Sequence, residues 1–289
     1  MLKLAIQKSG RLTDDSLDLM RECGLDFNKS GTLKSPAFNF PLEFLFLRDD
    51  DIPAYVADGV ADVGIVGENV LVEAEAHSTH ISTHVEIAER LGFSRCRLSL
   101  AIPKEHTYSG VQSLHGKRIA TSFPHILRSY LASHGVEADI HEISGSVEIA
   151  PSIGLADAIC DIVSSGSTLM SNGLKETDVV YRSEAVMIQG KHLTIEQQKI
   201  LDDLRFRIHA VSRAKKTKYI VLNAPTESLD TILGILPGIK SPTVTPLADK
   251  GWNAVHSVVP EDTFWEIIGK LRSAGAQGIL VLPIEKMIV

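Results

Sequence analysis

The chain has no apolar run approaching the roughly 20 residues that span a bilayer, so no transmembrane helix is expected. Cysteine is scarce. Cys23, Cys96 and Cys160 are an odd number, far apart and without metal-like spacing, which excludes a disulfide scaffold and reads as reduced packing thiols. The eleven histidines form no ligand pair on a recognisable helix, and His77, His80, His84 and His106 fall in or near polar loop regions, so no zinc site is expected. Basic excess is also missing. With 29 Lys and Arg against 36 Asp and Glu, the net charge is −7, which argues against a nucleic-acid or membrane partner. No Walker A Gly-Lys-[Ser/Thr], no Gly-x-Gly-x-x-Gly after the first strand and no Gly-x-Ser-x-Gly elbow is present. Kinase-like, nicotinamide-dependent and serine-hydrolase chemistry are thereby disfavoured. The segment Met1-Leu2-Lys3-Leu4-Ala5-Ile6 enters a strand directly and lacks the pattern of a secretory leader, so a cytoplasmic protein is expected.

What is present is strand–helix alternation. Residues 3–6, 42–47 and 60–66 read as strands and 12–23 and 52–58 as helices, with 74–84 a polar loop. A second segment repeats the pattern. Strands are expected at 97–102, 117–121, 138–143 and 158–163, and a helix at 124–134. Gly59-Val60-Ala61-Asp62 and Gly154-Leu155-Ala156-Asp157 precede corresponding strands, an echo that suggests two related lobes with a cleft between them. Residues 179–189 read as one strand and 194–210 as a long helix, and the basic stretch 213–218 as a domain boundary. From Tyr219 the order is βαββαβ, with strands at 219–223, 243–246, 253–259 and 278–282, and helices at 226–236 and 263–274. Pro237-Gly238 stops the first of these helices, and Phe264 and Trp265 read mainly as core residues. That order is the ferredoxin-like arrangement.

The stretch 148–169 draws most attention. Its strand empties into Ser164-Ser165-Gly166-Ser167-Thr168, a hydroxyl-rich turn with a helix expected from Leu169, and such a turn can cradle an anion. An ordinary βα turn is the plain alternative, but Asp161 inside the apolar strand and Asp157 just before it call for a partner or a task. Gln7-Lys8-Ser9-Gly10-Arg11 after the first strand sets two cations around a flexible turn, suited to a polyphosphate or to solvent. Arg48-Asp49-Asp50-Asp51 ends the next strand, where Asp50 or Asp51 could equally cap a helix. Glu68 and Asn69 end a third strand, able to read a ribose or base or simply to close a turn, and Ser122 could reach the cleft.

The run Glu148, Gly154, Ala156, Ile159, Asp161-Ile162, Ser165-Gly166-x-Thr168-Leu169 resembles the signature of the ATP phosphoribosyltransferase family, which opens histidine biosynthesis. The resemblance extends over the whole chain. It includes Gln7-Lys8-Ser9-Gly10-Arg11, Arg48-Asp49-Asp50-Asp51-Ile52-Pro53, Gly67-Glu68-Asn69-Val70-Leu71, Gly116-Lys117-Arg118-Ile119-Ala120-Thr121-Ser122 and the tail Leu280-Val281-Leu282-Pro283-Ile284-Glu285-Lys286-Met287. The C-terminal segment makes it similar to the self-contained long form.

The resemblance implies an α/β fold, with a two-lobed, periplasmic-binding-protein-like catalytic body and a C-terminal ferredoxin-like regulatory domain. The expected bounds are 1–95 with 178–212 for lobe I, 96–177 for lobe II and 213–289 for the regulatory domain. It implies transfer of the phosphoribosyl group of phosphoribosyl pyrophosphate (PRPP) to N1 of ATP, with Mg²⁺ carried mainly on substrate polyphosphate. Lys8, Arg11 and Arg48 would be catalytic. Glu148, Asp157, Asp161, Ser164, Ser165, Gly166, Ser167 and Thr168 would bind PRPP. Gln7, Lys8, Ser9, Gly10, Arg11, Arg48, Asp49, Glu68 and Asn69 would bind ATP, and Thr243, Leu247 and Ala276 an inhibitory histidine. Dimers assembling to hexamers are implied as well. The competing expectations are a two-lobed solute-binding module without catalysis and the effector domain of a regulator, the latter without any helix-turn-helix to support it.

Overall fold

In the computed structural model, residues 1–29, 31–236 and 238–288 are described. The chain divides into two compact units, Met1–Asp18 with Leu25–Leu201, and Leu19–Gly24 with Asp202–Val289.

The first unit carries two sheets. Strand β1 (Leu2–Gln7), helix α1 (Arg11–Glu22), β2 (Lys34–Pro36), β3 (Leu42–Leu47), α2 (Ile52–Ala57), β4 (Val63–Gly67), α3 (Glu68–His77), α4 (Thr79–His84) and β5 (Val85–Arg90) come first. Then follow β6 (Cys96–Pro103), β7 (Arg118–Thr121), α5 (Pro124–Ser133), β8 (Asp139–Glu142), β9 (Ala158–Val163), α6 (Ser167–Ser171), β10 (Leu174–Ser183) and β11 (Ala185–Gly190). The sheet orders are β2-β3-β1-β4-β11-β5 and β10-β6-β9-β7-β8. In the first sheet β3, β1 and β4 run parallel, and in the second β9, β7 and β8 do, so each lobe presents a row of strand C-termini. The central strands are apolar and buried on both faces, as helix-covered parallel strands must be. Gly64 in β4 is required by close packing, because a Cβ there would lie 2.5 Å from Ile52 Cγ2 of α2.

The chain crosses between the sheets twice, through residues 91–95 and through Glu184. The crossings run side by side, with Leu91 N–H donating to Ala185 O and Ala185 N–H to Phe93 O, each at 3.0 Å. Residues 179–189 are therefore two strands in two sheets, β10 and β11, rather than one. No glycine or proline marks the break at Glu184. The expected lobe boundary at 178 falls inside β10, which pairs with β6 of the second sheet. The expected loop 74–84 is instead the end of α3 and all of α4, parted by Ser78 in an extended conformation. Only Ile81 of α4 is buried, too little apolar periodicity to read from sequence. The edge strand β2 and strand β5 were not expected.

Helix α7 (Ile195–Lys215) runs on past the expected boundary at 213, and the second compact unit begins within it, at Asp202. That unit contains β12 (Thr217–Pro225), α8 (Leu229–Ile235), β13 (Thr243–Pro246), β14 (Trp252–Pro260), α9 (Phe264–Ser273) and β15 (Gln277–Pro283). The sheet order β13-β14-β12-β15, antiparallel throughout, is the ferredoxin-like topology that the βαββαβ order predicts. Its core gathers Ile220, Leu222, Ile232, Val255 and Leu271. Phe264 packs against that core, but Trp265 is 81% exposed, against the expected core role. The expected stop at Pro237 lies outside the described residues. No helix among the described residues is long and apolar enough to cross a membrane.

Candidate active site

The ends of β1, β3 and β4 set the first wall of the cleft. Gln7 pairs in register with Leu47, and Lys8 N–H donates to Leu47 O at 2.7 Å, so Lys8 and Arg48 emerge side by side from neighbouring parallel strands. Both are exposed, as are Ser9, Gly10 and Arg11. A pocket of about 300 Å³ lies between this wall and the second lobe, and Gln7, Arg11, Asp49, Asn69 and Ser164 line it together. Residues far apart in sequence but singled out by it thus converge. Asn69 is 2% exposed; its Oδ1 accepts from Ser183 Oγ at 2.7 Å and its backbone N–H donates to that hydroxyl. Its Nδ2 has no partner among the described residues, a buried donor left for a ligand or water to satisfy.

Reading the sequence alone missed Ser94, Arg95 and Cys96, which line the same pocket with Ile162 of the signature run. Ser94 and Arg95 sit in the first crossing between the sheets and Cys96 opens β6 after it, where no motif signals function. Burial pushes the Cys96 thiol up, partly offset by a hydrogen bond with Ser183.

Glu68, expected to bind ATP, is already engaged. Arg90 forks onto it, with Nη1 donating to Oε2 at 2.7 Å and Nη2 to Oε1, and holds its carboxyl below the usual range. Glu68 thus closes a brace with Arg90, which also reaches Glu184 at the crossing. Asp50 and Asp51 make no capping hydrogen bond to α2. Burial, then the neighbouring carboxylates of Asp49 and Asp51, raise the Asp50 carboxyl, and Arg48 partly offsets them. Asp50 instead lines a second pocket of about 330 Å³ in the same unit, with Glu73, His77, Ser122, His125 and Glu142.

On the opposite wall, Ser164, Ser165, Ser167 and Thr168 are exposed and follow β9. Gly166 has φ +82°, the left-handed turn conformation that a side chain would strain. Ser165 Oγ and Ser167 Oγ lie 3.0 Å apart. Helix α6 starts at Ser167, two residues before the expected Leu169. One cation braces the turn and another the helix after it, neither singled out by the sequence. Arg97 Nη1 donates to Ser164 O at 3.2 Å while its guanidinium is clasped by Glu176, and Lys104 Nζ donates to Met170 O at 3.1 Å.

The carboxylates separate. Successive strand residues face opposite ways, so Ile162 faces the pocket while Asp161 faces the other side of β9, towards Glu148. Burial raises the Asp161 carboxyl, and the Glu148 charge adds to this. Its Oδ1 accepts only the neighbouring Ile162 N–H at 2.7 Å, so among the described residues it does not brace the serine-rich turn. Asp157 lies at the other end of β9, about 20 Å from that turn at strand rise. It is engaged by Arg118, whose N–H donates to Oδ2 at 2.9 Å and whose guanidinium holds its carboxyl low. Asp157, expected to contact PRPP, is thus held in a brace with Arg118.

In the second unit, Thr243 starts the edge strand β13, and Leu247 follows it, its N–H donating to Trp252 O at 3.0 Å. Ala276 is 7% exposed, packed in the domain core just before β15 at the opposite edge. Three strand spacings, about 14 Å, part the edge strands β13 and β15 beside which these residues lie.

Comparison with known proteins accords with this geometry. The family described as HisG, ATP phosphoribosyltransferase, matches residues 48–210, and that described as HisG, C-terminal domain, matches residues 214–286. The chain is 62% identical to an ATP phosphoribosyltransferase of Cytophaga hutchinsonii, over 100% of this chain and 99% of that one. It is 58% identical to one of Parabacteroides distasonis over the full length of both. Among solved structures, a chain of the ATP phosphoribosyl transferase (HisG:HisZ) complex from Thermotoga maritima superposes with a TM-score of 0.59 at 30% identity, covering 72% of this chain and 99% of that one. A solute-binding module without catalysis is not favoured. With its two-lobed body, its cleft motifs and its matching C-terminal domain, the chain belongs to the ATP phosphoribosyltransferase family.

Proposed function

We propose that the protein catalyses the first step of histidine biosynthesis, transferring the 5-phosphoribosyl group of PRPP to N1 of ATP. The observation that carries this reading is the convergence of Gln7, Arg11, Asp49 and Asn69 with Ser164 on one pocket between the lobes. N1 of adenine attacks C1 of the ribose, the C1–O bond breaks, and pyrophosphate leaves with the bonding pair. The configuration at C1 inverts. Positioning, charge stabilisation of the leaving group and exclusion of water do the work, and no covalent help from the protein is needed.

In this reading Ser164, Ser165, Gly166, Ser167 and Thr168 hold the 5-phosphate of PRPP, and Glu148 and Asp161 meet the ribose on the face of β9 opposite Ile162. Lys8, Arg11 and Arg48 face the polyphosphates, and Gln7, Ser9, Gly10, Asp49 and Asn69 surround the nucleotide. Mg²⁺ typically takes one or two carboxylates with substrate phosphates and water rather than an all-protein cage. Asp49 lines the pocket between the lobes and is the carboxylate of its run that could share an ion with substrate phosphates there. Asp49 would hold the ion, which would neutralise charge developing on the departing pyrophosphate.

The C-terminal domain is the proposed seat of feedback inhibition by histidine. The separation of the edge strands beside Thr243, Leu247 and Ala276 suits a pocket completed by a second copy of the domain, in keeping with a dimer or hexamer. An enzyme drawing on ATP and PRPP in this way works in the cytoplasm.

The test mixes protein, ATP, PRPP and Mg²⁺ and follows the ultraviolet change of N1-substituted adenine. No change would refute the reading. Lys8→Ala and Arg11→Ala are expected to lower kcat/KM with little change in Tm, and matched losses of both would mark these cations as structural.

A further inference from the structure

A carboxylate outside every motif stands behind the pocket. Asp15 lies one turn along α1 from Arg11, and its Oδ2 is 3.9 Å from Arg11 Nε. The same oxygen accepts a hydrogen bond from Ser94 Oγ at 2.6 Å. Ser94 belongs to the first crossing between the sheets and has φ +47°, a left-handed conformation that few non-glycine residues adopt. Arg11 and Ser94 both line the pocket of Gln7, Asn69 and Ser164, and Asp15 does not.

We infer that Asp15 is a positioning residue for Arg11 and links it to the crossing between the lobes. An isolated exposed ion pair of this length would contribute little. Here the carboxylate is held by a second donor, and its placement rather than its attraction is what matters. Arg11 is 76% exposed and would otherwise sample many rotamers, an entropy lost again whenever it grips an anion. A carboxylate at Nε narrows that range and leaves both terminal Nη groups for a phosphate fork. The Ser94 hydroxyl fixes the carboxylate, and the carboxylate in turn steadies a backbone conformation that needs support. A shift of the crossing as the lobes adjust around substrate therefore reaches Arg11 through one shared oxygen.

The inference rests on the reading of Arg11 as a substrate contact, and a double-mutant cycle on the full-length protein separates the two. Steady-state kinetics with ATP, PRPP and Mg²⁺ would compare Arg11→Ala, Asp15→Ala and their combination, with Tm measured alongside. Asp15→Ala is expected to lower kcat/KM about tenfold in the otherwise unchanged protein and by less than about twofold in the Arg11→Ala background. Asp15→Glu should restore part of the loss. Ser94→Gly, which suits the backbone but removes the hydroxyl, should reproduce part of it, and it keeps the inference testable should Asp15→Ala fold poorly. An equal loss in both backgrounds would overturn the positioning role and leave Asp15 a structural residue of α1. Activity unchanged by Asp15→Ala and Ser94→Gly, where Arg11→Ala is impaired, would overturn it as well. Activity unchanged by Arg11→Ala would remove the reading on which it rests.

Discussion

Asp62 and Asp157 do the same work in the two lobes. Asp62 N–H donates to Lys3 O at 3.0 Å while its Oδ2 accepts from Lys3 N–H at 2.7 Å. Asp157 N–H donates to Arg118 O at 2.8 Å while its Oδ2 accepts from Arg118 N–H at 2.9 Å. Each aspartate stands before its strand and pins a neighbouring parallel strand at the edge away from the cleft. The remaining oxygen meets Gln197 Nε2 at 2.7 Å in one lobe and the Arg118 guanidinium at 3.1 Å in the other. The Gly-x-Ala-Asp echo is therefore a structural device.

Asp157→Ala is accordingly expected to lower Tm by about 2–4 °C, the order of one lost backbone contact, and to leave the KM for PRPP unchanged. Thermal melting and steady-state kinetics on the same preparation check this. A raised KM at constant Tm would return Asp157 to the substrate site.

Gly166→Val should raise the KM for PRPP more than tenfold. At φ +82° a β-branched residue strains the turn by about 1–2 kcal/mol, and its Cβ would lie 3.9 Å from Val163 Cγ1. Circular dichroism should show the fold retained. Unaltered PRPP kinetics would remove the turn from the site.

Glu68 carries a pH signature. Its folded carboxyl titrates below the ordinary 4.5, chiefly through the hydrogen bonds from Arg90. The unfolded chain therefore binds the proton more tightly, and the stabilisation is present above pH 4.5 and lost as pH falls through the lower folded value. Denaturant unfolding of wild type and Glu68→Gln should differ at pH 7 and converge in acid. A constant gap would show that the charge of Glu68 is irrelevant to stability.

Glu73 joins α3 to α5. Its carboxylate accepts from His125 N–H at 2.7 Å, His125 Nδ1 at 2.8 Å and Ile126 N–H at 3.0 Å, satisfying donors at the first turn of α5. Glu73→Ala strands those donors and should destabilise the fold by about 1–3 kcal/mol. An unchanged unfolding midpoint in urea would show that water replaces the carboxylate without loss.

Cys96 should be the thiol that alkylates first, because Cys23 and Cys160 are buried. Burial pushes Cys23 up to about 12 and raises Cys160 as well. Mass spectrometry after limited iodoacetamide treatment should find Cys96 labelled, faster at alkaline pH, and protected by ATP with PRPP. Labelling unaffected by substrates would place Cys96 outside the occupied pocket.

The sequence by itself determined the elements and the motifs. Strands 42–47 and 158–163, the βαββαβ tail and the glycine-punctuated turns are legible because periodicity, caps and turns are properties of neighbouring residues. The cleft residues Gln7, Arg11, Asp49, Asn69 and Ser164 were legible for the same reason, each at the end of a recognisable strand or in the first turn of the helix after it. Tertiary structure decided what depends on pairing across the chain. It split residues 179–189 between two sheets, turned Glu68 to Arg90, and placed Asp157 at the far end of its strand from Ser164. It brought Ser94, Arg95 and Cys96 into the pocket and set Thr243 and Ala276 on opposite edges of one sheet. Strand order and long-range partners come from the burial of whole faces, and no local pattern records which residue will stand opposite which.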